Sequence, residues 1–283
     1  MRTFGIDVSR WQGKINWTQV MSARPDIKTV IIKSSQGGSE KVPDFNPYKD
    51  PLFDTNISSA IATGKLTVGV YHYLTSCSVE SAVREADYTL EIIKPYRDHI
   101  RFVALDLEDY SSGKVSYPKY AKNSAALNTS LVRAFCDRIK ASGYNPLLYT
   151  NRHFLFNLLI RDKLADIGIW YARWGVTEDV ALADVQNAVG WQYGVSNIPG
   201  LGNVDSNYFY YDTAEKEEEK EAPKMDRYDT VEDIAKSFPY AAETIIKLTE
   251  KGFLRGDADA KLNLSEDMIR LLVILDRADT FDR

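Results

Sequence analysis

Residues 101–109, RFVALDLED, carry two carboxylates at a spacing that suits acid–base chemistry. Branched apolar residues alternate there with small or acidic ones, which is typical of a β-strand with one buried face. The other face ends in Asp106 and Glu108, about 7 Å apart on a strand that rises roughly 3.3 Å per residue. Inward-facing acids at the carboxyl end of a buried strand lie where α/β barrels carry their catalytic groups. An edge strand with two exposed acids, or a magnesium site, would also explain these residues.

Seven further strands are predicted from period-two patterns and from apolar runs bounded by turn residues. The eight predicted strands are 3–8, 29–33, 67–73, 101–109, 146–150, 167–174, 188–193 and 204–211. Helical patterns at 17–24, 54–63, 78–93, 120–140 and 153–159 separate them. Strands of the parallel type with regular crossovers only among the first five predict an irregular TIM-like β/α barrel. A doubly wound sheet is the alternative, but GIDVSRWQG does not match its glycine-rich phosphate loop.

Polar side chains stand at the predicted strand ends, so they would meet at one mouth of such a barrel. The candidate catalytic residues are Asp7, Asp106, Glu108 and Asp205, and the candidate substrate-binding residues are Lys33, Tyr71, Tyr73, Tyr149, Asn151, Tyr171, Arg173 and Gln192. The tyrosines can equally be core residues with hydroxyls at the rim, and the lysine can be a salt-bridge partner. Acids on three or more strand ends of one barrel nevertheless indicate a site.

The composition narrows the possible partners. The net charge is −5 with no basic stripe, so nucleic acid is not expected. No apolar run approaches the ~18 residues of a membrane span. MRTFGIDVSRW lacks the apolar region of an export signal, so synthesis in the cytoplasm is expected. The 17 Tyr and 5 Trp suit sugar rings as well as ordinary cores. Cys77 and Cys136 cannot form a disulfide framework, and no spacing suggests a metal site.

The composition changes beyond Asp212, which ends the predicted barrel domain, residues 1–212. Residues 213–224, TAEKEEEKEAPK, are almost entirely charged and are predicted to be a linker. Residues 225–283 are predicted to form a second, all-α domain with helices at 231–238, 240–251 and 265–277. A domain of about 60 residues is only marginally stable alone, so self-association is a further expectation. Met225 is a candidate start for a separate chain.

Seven segments of the chain, in order, resemble the glycoside hydrolase family 25 lysozymes (N-acetylmuramidases). They are GIDVSRWQG, VGVYHY, ALDLED, LLYTN, WYARW, WQYG and VDSNYF, which together span about residues 3–211. The resemblance implies an irregular β/α barrel that cleaves the β-1,4 bond between N-acetylmuramic acid and N-acetylglucosamine in peptidoglycan. It implies Glu108 as proton donor, Asp106 as the group that assists the reacting sugar, and Asp7 and Asp205 as the rest of an acidic floor. It implies neither a metal nor a cofactor. One departure is Gln36, which stands where the family often has an acid.

The chemistry suits these residues without the resemblance. Glycosidic cleavage needs an acid that stays protonated and an anionic partner for the developing oxocarbenium ion. The other three acids should raise the pKa of Glu108 through like charge, as a proton donor requires. Asp106 can instead orient the substrate's own N-acetyl group as the nucleophile. Retention and inversion of configuration therefore both stay open.

The tail, YAAETIIKLTEKGFLRGDADAKLNLSEDMIRLLVILDRA, resembles one S-layer-homology-like repeat of the kind found in clostridial phage endolysins. It departs at residues 265–268, SEDM, where such repeats usually carry Thr-Arg-Ala-Glu. The resemblance implies a domain that binds a cell-wall polymer, in a lysin of clostridial walls that is released through a separate membrane pore. An inactive glycan-binding barrel and a chitin-type glycosidase are the alternatives. The intact DLE segment argues against an inactive barrel.

Overall fold

The computed structural model describes residues 2–38, 46–111, 116–117, 120–210, 227–257 and 259–281 of the 283. The chain divides into two compact units, Met1–Asp212 and Thr213–Arg283. The predicted linker at 213–224 and Met225 lie outside the described residues.

Eight strands of the first unit close into a barrel. In chain order they are β1 (Arg2–Val8), β2 (Ile27–Gln36), β3 (Thr67–Tyr73), β4 (Ile100–Asp106), β5 (Pro146–Asn151), β6 (Gly168–Ala172), β7 (Ala188–Ile198) and β8 (Gly202–Tyr210). Each strand pairs with the next in sequence, and β8 pairs with β1, which closes the barrel. A two-residue strand, Tyr48–Lys49, adds to the edge of β2. The predicted α/β barrel is confirmed.

The last strand departs from the predicted all-parallel arrangement. β8 runs antiparallel to both β7 and β1. Only three residues, 199–201, connect β7 to β8, and a connection this short must reverse the chain because a parallel return needs a long crossover. As a result Asp205, near the start of β8, lies opposite Asp7, near the end of β1. The reversal therefore brings Asp205 to the same end of the barrel as the carboxyl ends of the parallel strands.

Helices cover the outside of the strands. They are α1 (Trp17–Ala23), α2 (Phe53–Ala62), α3 (Val79–Ile93), α4 (Ala125–Ala141) and α5 (Glu178–Ala183). Ser78 caps α3, because its hydroxyl accepts a hydrogen bond from the Ser81 N–H. α4 begins at Ala125 and not at residue 120, since Tyr120–Lys122 forms a separate 3₁₀ turn. The predicted helix at 153–159 is a π-helical turn, Phe154–Leu158.

The strand period sorts the apolar residues into two layers. Val103 and Leu105 of β4 pack in the larger core, which includes the inner faces of α3 and α4. Phe102 and Ala104 alternate with them and face the barrel interior. That interior is completed by Ile31, Leu147, Trp170 and Phe209. The alternation predicted within residues 101–109 is therefore confirmed, although β4 itself ends at Asp106.

The second unit contains the three predicted helices. Among its described residues they are α6 (Val231–Ser237), α7 (Ala242–Glu250) and α8 (Glu266–Arg277). The pair Arg227–Tyr228 bonds antiparallel to Leu264–Ser265. A small core of its own is formed by Ile234, Ala241, Ile245, Leu264, Ile269 and Val273. None of the helices in the described part of the chain combines the length and the apolar character that a membrane span requires.

Packing inside the barrel can be tested at Gly69. A Cβ atom there would lie 2.3 Å from the Phe102 ring. We expect Gly69→Ala to lower the free energy of unfolding by about 1–3 kcal/mol through overpacking, measured by urea denaturation. Phe102→Leu removes the ring atoms concerned, so the double variant should be more stable than the two single losses added together predict. Strictly additive losses would contradict the contact.

Candidate active site

A small polar cavity of about 90 Å³ lies at one end of the barrel. Its lining residues are Asp7, Tyr71, Asp106, Glu108, Tyr149, Trp170, Gln192 and Asp205. Seven of the eight strands contribute one lining residue each. The remaining lining residue, Glu108, follows β4 in the chain. The structure thus brings together the four acids that the sequence singled out, with three of the predicted binding residues. The cavity is a product of the closed barrel, since no two neighbouring strands could form it.

The two acids of the DLE segment face the cavity because the residue between them is fixed. Leu107 lies beyond β4, yet its N–H donates to the Tyr149 carbonyl at 3.0 Å. Its own carbonyl accepts a hydrogen bond from the Thr150 hydroxyl at 3.0 Å. The Leu107 side chain is buried in the outer core. Asp106 and Glu108, on either side of it in the chain, consequently both line the cavity.

Asp7 is held by two amide groups. Its Oδ2 accepts from Asn207 Nδ2 at 2.8 Å and from Gln192 Nε2 at 3.1 Å. The Asn207 side chain in turn accepts a 2.7 Å hydrogen bond from the Trp170 indole N–H. The sequence prediction omitted Asn207 and Trp170 as site residues. Both stand in the VDSNYF and WYARW segments, and the inward period of β8 and β6 was the signal that could have found them.

Gln192 links the cavity floor to its rim. Its Oε1 accepts hydrogen bonds from the Tyr149 hydroxyl at 3.0 Å and from the Trp174 indole N–H at 3.1 Å. Its Nε2 donates to Asp7, so both the oxygen and the nitrogen of the Gln192 amide are hydrogen-bonded. The Trp174 side chain is 53% exposed, so its aromatic ring at the rim can contact a ligand. Sugar rings commonly stack on such surfaces because an aromatic face is large and apolar.

Lys33 supplies a positive charge next to the acids without bonding to one of them. Its Nζ donates to Gln36 Oε1 at 2.8 Å and lies 5.1 Å and 5.9 Å from the ring centroids of Tyr73 and Tyr71. Burial lowers the pKa of the Lys33 ammonium group. The negative charge of Asp106 acts in the opposite direction and has the largest effect among the acids. Gln36 thus holds the lysine with a neutral amide, so the charge of Lys33 stays available to the carboxyl groups.

Burial dominates the electrostatics of the acids. It raises the pKa of Glu108 to about 7, with Asp205 adding to the shift and Lys33 opposing it. Burial, followed by the charge of Asp205, likewise raises the pKa of Asp7 to about 7, against the amide hydrogen bonds. The expected direction for Glu108 is confirmed, but like charge is only the second cause.

Asp106 is buried at the floor of the cavity. Burial first, and then the charge of Glu108, raises its pKa well above the usual range. Among the described residues its Oδ1 is buried without a hydrogen-bond partner. A buried carboxylate oxygen without a donor is costly, so a proton, a water molecule or a donor that a ligand brings would stabilise this atom. No group of three or more His, Cys, Asp or Glu side chains in the described part of the chain is arranged to hold a metal ion.

Comparison with known proteins identifies the family of this chain. Residues 6–201 match the model of glycosyl hydrolases family 25. The chain belongs to that family. It is 29% identical over 217 residues to lysozyme M1 of Streptomyces globisporus, covering 72% of this chain and 67% of that protein. The solved structure of the lysozyme from Streptomyces coelicolor is 26% identical with a TM-score of 0.59, covering 75% of this chain and 94% of that one.

A longer relative shares the fold of this family 25 hydrolase. The autolysin LytC from Streptococcus pneumoniae, solved with a synthetic peptidoglycan ligand, matches with a TM-score of 0.59 at 23% identity. The match covers 74% of this chain and 47% of that chain. This protein therefore spans about half the length of LytC, and the likeness concerns the fold alone.

Five predicted binding residues of the family 25 barrel do not line the cavity. Lys33 and Tyr73 lie beside it, in contact with each other. Asn151 instead accepts a hydrogen bond from the Phe154 N–H. Tyr171 is fully buried in the outer core, and its hydroxyl donates to Asp184. Arg173 is paired with the same Asp184. For Tyr171 and Arg173 the reason is the strand period: Trp170 faces inward, so the odd-numbered residues after it face outward.

The raised pKa of Glu108 predicts a loss of stability as the pH rises toward neutrality. Folded Glu108 holds its proton to about pH 7, whereas an unfolded glutamate releases it near pH 4. In that window the folded state binds more protons, so the free energy of unfolding falls as pH rises from about 4 to 7 and stays reduced above that range. Glu108→Gln should therefore be more stable than wild type at pH 8 by on the order of 1–3 kcal/mol, and much less so at pH 4.

Thermal denaturation at both pH values measures this difference. Glu91→Gln, at an exposed position on α3, is the matched control and should show no gain. An equal gain for Glu108→Gln at pH 4 and pH 8 would show that burial does not raise its pKa.

Proposed function

We propose that the barrel is an N-acetylmuramidase, which hydrolyses β-1,4 bonds between N-acetylmuramic acid and N-acetylglucosamine in peptidoglycan. The observation that carries this proposal is the cavity in which Glu108, with a pKa of about 7, stands two residues from Asp106. A protonated acid beside a second carboxyl group is the arrangement that glycosidic cleavage requires. Membership of family 25, and the lysozyme names of its relatives, support the substrate class.

Glu108 acts as the general acid in this proposal. A donor is most effective when its pKa lies near the working pH, because it is then both protonated and able to release the proton. Its buried position raises the pKa into that range. Glu108 protonates the leaving glycosidic oxygen as the bond to the anomeric carbon breaks.

Asp106 positions the acetamido group of the reacting sugar. Its buried Oδ1 has no donor among the described residues, and a substrate N–H would supply one. This hydrogen bond would favour the carboxylate form and direct the acetamido oxygen toward the anomeric carbon. This feature of Asp106 Oδ1 therefore supports a mechanism in which the substrate's own acetamido group assists cleavage.

Asp7 and Asp205 stabilise the positive charge that develops on the sugar. Asp7 accepts two amide hydrogen bonds, which favour its ionised form and oppose the rise in its pKa that burial causes. Asp205 lies directly across the strand pair from it. Fixed negative charge in a site with little water stabilises an oxocarbenium ion more effectively than solvent would.

The catalytic roles are tested on purified peptidoglycan. Wild type should release N-acetylmuramic acid reducing ends, identified by mass analysis, and chitin should stay uncut. Glu108→Gln should lower kcat/KM by about 100-fold or more, since general acid catalysis contributes that much. Asp7→Asn and Asp205→Asn should lower turnover less severely.

Wild-type kcat/KM should fall above about pH 7 as Glu108 loses its proton.

Three outcomes would contradict the proposal. Chitin cleavage with intact peptidoglycan would indicate a chitin-type glycosidase. Binding of both polymers without cleavage would indicate an inactive glycan-binding barrel. Folded Glu108→Gln with wild-type activity would remove that residue from the mechanism.

The second unit is proposed to bind a cell-wall polymer and to associate with further copies of itself. Among the described residues of this unit, six large apolar or aromatic side chains are between 43% and 62% exposed: Tyr240, Ile246, Phe253, Met268, Leu271 and Ile274. Exposed apolar groups on a small unit are typical of a binding surface. The proposed targets are Gram-positive, clostridial walls, an expectation that depends on the sequence resemblance of the tail. The protein is proposed to be made in the host cytoplasm and to act on the wall after release.

The division of labour is tested with residues 1–212 alone and the full chain. Tethering raises the effective concentration at the wall, so full-length protein should lyse intact cells at least about tenfold faster at low concentration. Both should cut short soluble glycan fragments at similar rates, which also controls for folding of the truncated barrel. Equal lysis of intact cells would show that the tail does not target the enzyme.

A further inference from the structure

Glu85 is a buried carboxyl group that does not line the catalytic cavity. It stands on α3 and is only 3% exposed. Its Oε2 accepts hydrogen bonds from His72 Nε2 at 2.6 Å and from the Thr75 N–H at 3.1 Å. Its Oε1 accepts from the Ser76 and Thr75 hydroxyls at 2.6 Å and 3.3 Å. One carboxyl group of a helix therefore holds the end of β3 and the turn that follows it.

These donors favour the ionised form of Glu85, in contrast to the acids of the cavity. Burial acts to raise the pKa of Glu85, but the hydrogen bond and charge of His72, followed by the Ser76 hydroxyl and the Thr75 N–H, lower it below its usual value. Hydrogen bonds to a carboxylate are shorter and stronger than neutral ones. The groups bonded to Glu85 are therefore held firmly in place.

Ser35, His72 and Glu85 match a hydrolytic triad in residue type but not in accessibility. Ser35 Oγ lies 2.8 Å from His72 Nδ1, and the other ring nitrogen bonds to Glu85. Both Ser35 and His72 are 0% exposed. A nucleophilic hydroxyl must reach the bond it attacks, and this one is fully covered. The network therefore acts on the structure around it and is not a second catalytic centre.

The turn that Glu85 holds is bonded directly to Asp106. The Leu74 N–H donates to the Asp106 carbonyl at 3.0 Å, at the residue where β4 ends. The next N–H along the turn, that of Thr75, is the one that Glu85 binds. Between these two N–H groups lies the Leu74 carbonyl, which accepts from the Tyr120 hydroxyl at 3.0 Å. Glu85 and Tyr120 thus fix the two ends of one peptide unit, and the peptide unit before it carries the N–H that binds Asp106.

The chain at the end of β2 packs against the same carboxyl group. The Gly37 N–H donates to the Tyr73 carbonyl at 3.0 Å. A Cβ atom at Gly37 would collide with Thr75 Oγ1 and Glu85 Oε1, so the backbone passes directly over the network. Tyr73 in turn lies against Lys33 beside the cavity. The ends of β2, β3 and β4 are thus joined around one buried carboxyl group.

We propose that Glu85 is a positioning residue, which holds the peptide between Leu74 and Thr75 so that Asp106 keeps the orientation it needs to assist the reacting sugar. This inference rests on the proposed function, because it concerns the role proposed there for Asp106. A displacement of about 1 Å at a reacting group can lower the rate about 100-fold, even when the substituted residue is distant. Loss of the Glu85 contacts should therefore affect turnover more than substrate binding.

The test compares two conservative variants on soluble glycan fragments, well below the unfolding temperature of each. Glu85→Asp keeps the charge but is one methylene shorter, so its carboxylate is drawn away from the Thr75 N–H. Glu85→Gln loses the charge but keeps the length, so its oxygen can still accept from Thr75 while its NH₂ donates to the Ser76 hydroxyl. Glu85→Asp should lower kcat about tenfold or more with KM within about twofold. Glu85→Gln should keep kcat within about threefold, and a loss as large as that of Glu85→Asp would overturn the proposal.

Thr89→Val is the matched control. Thr89 is 0% exposed, lies one turn beyond Glu85 on α3, and donates its hydroxyl to the backbone carbonyl of Glu85. This variant should lower the Tm because a buried hydrogen bond is lost, while kcat stays within about twofold of wild type. If Thr89→Val loses as much kcat as Glu85→Asp at a similar Tm, destabilisation is the cause and the proposal is wrong.

Amide hydrogen exchange gives a readout that does not depend on catalysis. The Leu74 and Thr75 amides should exchange about tenfold faster in Glu85→Asp than in wild type, and at nearly the wild-type rate in Glu85→Gln and Thr89→Val. Unchanged exchange of both amides in Glu85→Asp would contradict the proposal. If wild type leaves the glycan fragments uncut, the proposed function fails instead, and the exchange rates still decide whether Glu85 holds the turn at Asp106.

Discussion

The site depends on how the barrel closes. β8 runs antiparallel between β7 and β1, and this pairing sets Asp205 directly opposite Asp7. The same strand contributes Asn207, whose amide fixes both Asp7 and the indole of Trp170. Without this closure the acids of β1 and β4 would face solvent, where neither their pKa values nor their orientation would be controlled.

Four carboxyl groups in one small cavity, two buried and two partly buried, are energetically unfavourable, and the surrounding groups show how the barrel tolerates them. Asp7 receives amide donors, while Lys33, held by the neutral amide of Gln36, provides a positive charge. A second buried network supports the neighbouring strand ends from outside. There His72 of β3 bonds to Glu85 of α3 at 2.6 Å and to Ser35 of β2 at 2.8 Å. Asp106 Oδ1 has no hydrogen-bond partner in the part of the chain that the structure describes, and a substrate can supply one.

Much of this could be predicted from the order of residues along the chain. Alternation along β4 determined which residues face the core, and one hydroxyl, Ser78, marked the start of a helix. These are local effects: a strand has a period of two, and an N-cap serves its own first turn. The acids of the cavity stood out for the same reason, because each lies next to an apolar strand pattern.

The remaining features depend on contacts between distant segments. Whether Trp170 or Tyr171 faces the cavity follows from the register of β6 against its neighbours, and a shift of one residue exchanges the two faces. The direction of β8 was not visible in its apolar pattern, which is the same for a parallel and an antiparallel strand. The sequence by itself therefore determined the strands, the helices and the acids. Only the tertiary structure decided which side chains share the cavity and how far burial raises their pKa, because desolvation depends on the whole surrounding barrel.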